Sequence, residues 1–100
     1  MIIYNVTIKV SPAIHESWLR WMKEEHLPEV LATGCFHDSK LMHLFEQDDA
    51  EGFTYAVQFI SDNMENYETY INEYAPQLRQ KTTARFGDQL VAFRTVMRLL

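Results

Sequence analysis

One hundred residues with 47% hydrophobic and 23% charged content suit one soluble globular domain over 1–100, built around a single core. Fourteen acids against nine Lys and Arg leave a formal charge of -5, and the scattered bases offer no concentrated surface for nucleic acid. The single Cys35 excludes an internal disulfide and a multi-cysteine metal cluster, and no run approaches the ~20 apolar residues that cross a bilayer.

Met1 to Asn5 enter strand alternation at once, with no positive segment or small-residue cleavage site, so the expected location is cytoplasmic. Ile2, Tyr4, Val6, Ile8 and Val10 share one face of the first strand, and Ile3, Asn5, Thr7 and Lys9 the other. Ser11-Pro12 predicts a helix start, with Ser11 as N-cap and Pro12 at the first helical position. Ile14, Trp18, Trp21 and Met22 form the helix's inner stripe. Leu27 precedes Pro28 and is pushed out of helical geometry, which predicts a break there and a short turn of helix closed by Gly34. A second strand follows within 35–46, clearest over 40–45.

Gln47 to Gly52 read as a polar hairpin connection whose acids lack the spacing of a calcium loop. Phe53, Tyr55, Val57 and Phe59 alternate with Thr54, Ala56, Gln58 and Ile60 in a third strand, and Ser61 to Asn63 supply capping chemistry. Met64, Tyr67, Ile71, Tyr74, Ala75 and Leu78 mark a second helix that Pro76 should kink or interrupt. Gly87-Asp88 turn the chain into a fourth strand over Leu90 to Leu99.

The pattern is β-α-β-β-α-β. With right-handed crossovers it predicts an α+β, ferredoxin-like sandwich: a four-stranded antiparallel sheet in order 4-1-3-2, both helices on one face. The other face, carrying Asn5-Thr7 and Thr54-Ala56-Gln58, is neither charged enough for open water nor apolar enough for a core. It suits packing against the sheet of a second copy, hence a homodimer through the sheet face.

Trp18, His26, Leu27, Pro28 and Gly34 carry a resemblance. An aromatic, then His, an apolar residue, Pro, an apolar run and Gly before strand two resembles the first helix of the EthD-like and ABM-like dimeric α/β-barrel superfamily. The layout also resembles an uncharacterised family of short bacterial proteins in that superfamily. The resemblance implies a homodimer with a small-molecule cavity between each sheet and its helices. The oxygenases of this fold tend to use Asn on strand one and Trp on the second helix. Asn5 matches the first position, but the second helix offers only Tyr67, Tyr70 and Tyr74, a departure from that subclass.

His26 is the foremost candidate for catalysis. On an α-helical wheel it lies about 80° from Trp18, at the edge of the apolar stripe, where burial can move an imidazole into the range useful for acid–base work. Glu25 falls nearest the middle of the Trp18 face among the helix's acids, and needs either water or a partner such as Arg94 or Lys40. Trp18, Tyr55 and Tyr67, with other aromatics, can line a cavity for a cyclic ligand, or simply fill a core. Arg94 and Arg98 share a face of strand four, for an anionic ligand, a partner subunit or solvent. His15 reads as surface, and His43 as a satisfied buried or interface histidine. No histidine spacing supports a metal site, no glycine-rich phosphate loop or nucleophile elbow occurs, and no cofactor is expected. Two functions follow: a dimer that binds or transforms a small organic ligand in the helix–sheet cavity through His26, Trp18, Glu25, Tyr55, Tyr67 and Arg94, or a non-catalytic dimeric module whose aromatics close that space.

Overall fold

The structure, a computed structural model, describes residues 1–45 and 51–100. Four strands, β1 (Ile2–Val10), β2 (Asp38–His43), β3 (Phe53–Ser61) and β4 (Leu90–Arg98), form one sheet in the order β2-β3-β1-β4. Every adjacent pair is antiparallel. The period-two faces of β1 and β3 explain the layering. Tyr4, Val6 and Ile8 lie opposite Phe59, Val57 and Tyr55 in register, and all six are buried beneath the helices. Residues 46–50, which include 47–50 of the expected hairpin connection, lie outside the described residues. Strand β2 spans Asp38–His43 and stops short of Phe45, which is 82% exposed.

Each helix is one continuous rod with a wide turn in its middle. The first consists of His15–Trp21, a π turn Met22–His26, and Leu27–Ala32. The second consists of Met64–Thr69, a π turn Tyr70–Tyr74, and Ala75–Phe86. The break expected at Leu27 is therefore absent: Leu27 is helical, and its N–H donates to Met22 O, five residues back. Ala75 does the same with Tyr70 O. In an α-helix a proline ring collides with the carbonyl four residues earlier and leaves a hydrogen bond unmade. Widening the turn just ahead of Pro28 and Pro76 removes the collision and places each proline in the first turn of the next α segment, where the lost donor costs little.

The π turns also rephase each helix. A π turn holds one residue more than an α turn, so every later residue sits about 100° earlier on the wheel than its number suggests. Val30, about 120° from Trp18 by an unbroken count, comes to about 20° and is wholly buried. His26 swings onto the Trp18 face and Glu25 swings off it. On the second helix the same slip aligns Ala75, Leu78 and Phe86 with Tyr70, and all four are buried.

The helix ends differ from one another. Asn63 caps the second helix, its side chain accepting from the Asn66 N–H at 2.8 Å. Ser11 is not the cap expected for the first. A turn over 12–14 intervenes, the helix starts at His15, and the Ser11 hydroxyl donates instead to Gln89 Oε1 at 2.7 Å. Gly34 and Gly87, at φ 77° and 60°, stop the two helices in the left-handed region.

Candidate functional site

Between sheet and helices a cavity of about 120 Å³ remains open, so the aromatics do not close this space. Both π turns meet there: Met22 and His26 are the first and last residues of one, and Tyr70 opens the other. The deep wall is apolar and aromatic, with Tyr4, Val6, Val57, Phe59, Trp18 and Trp21. The rim is polar, formed by the exposed Arg79, Thr83 and Arg94 with half-buried Thr82.

His26 is half-buried in this wall, its ring stacked on Trp21 with centroids 4.8 Å apart and planes 23° apart. Burial lowers its pKa from 6.5 to about 4, against a weaker upward pull from Glu29. At neutral pH the imidazole is thus uncharged, a hydrogen-bonding group rather than a poised acid or base. Trp18 carries a different signal. It is fully buried, and its indole N–H is a buried side-chain donor with no hydrogen-bond partner. Such a group costs free energy unless something supplies an acceptor.

Arg94 faces the helix side of β4, opposite Val6, and borders the cavity. Its counterpart across the rim is Arg79 of the second helix, whose Nη2 donates to the Tyr4 hydroxyl at 3.2 Å. Both guanidiniums act electrostatically on the Tyr70 phenol, although burial and Tyr4 win and raise its pKa well above 10. Arg79, Tyr4, Tyr70 and the two threonines were not singled out by sequence. The signal lay in the π turn: with the slip included, Thr82 falls about 20° from Tyr70 instead of about 120°.

The other expected site residues lie elsewhere. Glu25 is exposed and pairs with Arg85, Nη1 to Oε2 at 3.5 Å, in a separate cleft with Glu16, Arg20 and Glu24; neither Arg94 nor Lys40 is its partner. Tyr55 is buried but does not border the cavity. It packs on Trp18 at 5.1 Å between centroids, and its hydroxyl meets His15 Nε2 at 2.5 Å. His15, expected at the surface, is half-buried and stacked on Phe53 at 3.8 Å. His43 is exposed, its ring stacked on Tyr55 at 4.9 Å. Tyr67 packs against Tyr4 at 5.3 Å, outside the cavity wall, and burial raises its phenol pKa. Asn5 points to the opposite sheet face, where its amide donates to Thr7 and Thr95 hydroxyls at 3.0 and 3.3 Å. It does not border the cavity. Among the described residues, no three His, Cys, Asp or Glu side chains converge as metal ligands, and no helix is long and apolar enough to cross a membrane.

Solved structures with the same architecture include a dimeric ferredoxin-like protein from an uncultured marine organism. It is 8% identical, with a TM-score of 0.76, and the match covers 99% of this chain and 94% of the other. An ethyl tert-butyl ether d (EthD) family protein from Bacillus halodurans is 9% identical over 100% of both chains, with a TM-score of 0.68. A monooxygenase from Streptomyces coelicolor, solved in complex with the ligand nanaomycin D, is 11% identical over 99% and 88%, with a TM-score of 0.58. At such identities the likeness establishes the ferredoxin-like α+β fold alone. No curated protein sequence matches the chain. A family described as a domain of unknown function, DUF4286, matches residues 1–100, and the chain belongs to that family.

Proposed function

We propose that the protein is a homodimer, joined through its open sheet faces, in which each copy binds a small organic ligand in the helix–sheet cavity. The observation that carries the ligand reading is the open cavity itself, walled by aromatics and rimmed by Arg79 and Arg94. A fully packed module leaves no such opening. A neutral His26 beside it favours recognition over proton transfer at ordinary pH.

The dimer reading rests on the uncovered sheet face. Val91 and Phe93 are 70% and 62% exposed there, alongside the exposed Met42 and Met97. Between them runs a polar row already satisfied within the sheet: Gln58 Nε2 donates to Asn5 Oδ1, and Asn5 Nδ2 to Thr95. Such a row can be covered without stranding a donor. A ferredoxin-like protein of the same architecture is dimeric, which supports the dimer reading.

Thermal-shift screening of single-ring compounds tests the cavity. Ligands should raise the Tm of wild type and leave Ala92→Leu unmoved, because Ala92 borders the cavity and a larger side chain there fills it. Hits that stabilise both equally, or no hits at all, refute the cavity reading. Sedimentation should give a mass near twice 11.8 kDa for wild type and a monomer for Phe93→Asp. A monomeric wild type at micromolar concentration refutes the dimer.

A further inference from the structure

We propose that the ligand of this cavity is a single-ring carboxylate, its ring in the aromatic cavity and its carboxylate between Arg79 and Arg94. The inference rests on the cavity reading above and specifies its ligand. Size sets the first limit. A cavity of about 120 Å³ is close to the ~150 Å³ known to accept benzene, so one six-membered ring fits and fused rings do not.

Charge sets the second. The chain carries a net charge of -5, yet among the described residues no Asp or Glu borders this cavity. Lys9, Lys40, Lys81 and Arg85 each pair with a carboxylate among the described residues; of the bases that do not, Arg20, Lys23, Arg79, Arg94 and Arg98, only Arg79 and Arg94 border the cavity. Arg79 spends one N–H on the Tyr4 hydroxyl and has further donors in its fork. Two guanidiniums without counter-ions at one rim repel cations and match a carboxylate. Arg94 is on the helix side of its strand, so sheet-to-sheet pairing leaves it at the cavity.

Calorimetric titration of the full chain with 4-hydroxybenzoate and its neutral analogue 4-hydroxybenzyl alcohol tests the assignment. The acid should bind wild type about tenfold or more tightly than the alcohol. Arg94→Gln and Arg79→Gln should abolish that preference while leaving the alcohol's affinity unchanged. Arg94 is exposed, so its variant keeps the test sound if loss of the Tyr4 bond unsettles the other. Arg98→Gln, on the same strand face but outside the cavity, should retain the preference. Equal binding of acid and alcohol to wild type overturns the carboxylate assignment and leaves the cavity reading standing. A preference that survives both cavity substitutions overturns it too. Binding of neither probe ends the assignment, and the ring screen then decides separately whether the cavity binds anything.

Discussion

Replacing His26 with glutamine should flatten part of the protein's acid sensitivity. The wild-type imidazole is stacked on Trp21 and half-buried, which holds its pKa near 4 when folded, against 6.5 when the chain is unfolded. Between those values the unfolded chain binds the proton and the folded one does not. Stability is therefore complete above about pH 6.5, falls as pH is lowered, and levels off below about pH 4. Linkage sets the loss between about pH 7 and pH 5 at no more than roughly 2 kcal/mol, and water reaching the half-buried ring trims it toward 1. Glutamine has no proton to gain over this range. Urea unfolding at pH 7 and pH 5, at one protein concentration, should thus show wild type losing about 1–2 kcal/mol more than His26→Gln. Parallel losses in the two proteins refute the reasoning, as does an imidazole titration observed by NMR near 6.5, because either means that the folded ring takes up its proton freely.

Phe59→Ala removes a fully buried ring packed against Tyr4 and Phe36, and should cost about 3–5 kcal/mol in denaturant unfolding. The two helix starts can be told apart by mutation: Asn63→Ala should cost about 1 kcal/mol, since Asn63 caps the Asn66 N–H. Ser11→Ala should cost well under that, about 0.5 kcal/mol or less, because only an exposed bond to Gln89 is lost.

The architecture was legible in the chain because strand signals are short-range. Alternation over Ile2 to Val10 and Phe53 to Ile60 needs no partner to be read, and the strand order followed from two β-α-β units. The uncovered sheet face was visible for the same reason, as an alternate set of residues too polar for a core. Helix phase was harder. Counting at 100° per residue assumes a regular helix, and one extra residue in a turn displaces everything after it. That is why an even count put Glu25 near the Trp18 face, in need of water or a partner, whereas it lies outside, exposed and paired with Arg85, and why Val30 went unremarked and is wholly buried. Pro28 was read as a break and Pro76 as a kink or interruption, when the clash of each is relieved by widening the preceding turn.

The candidate site shows the same division. Trp18, His26 and Arg94 were nominated from sequence, and all three border the cavity. Tyr55 and Tyr67 are aromatic like the cavity walls, but only their packing against Trp18 and Tyr4 reveals that they stand outside it. Arg79 became visible only in three dimensions, because its role depends on Tyr4, seventy-five positions away, and on Arg94 of another element. Local periodicity determined which residues form strands and helices and which strand face turns inward. Which side chains meet around an opening was decided by tertiary packing, since two π turns reset the rotation of both helices over the sheet.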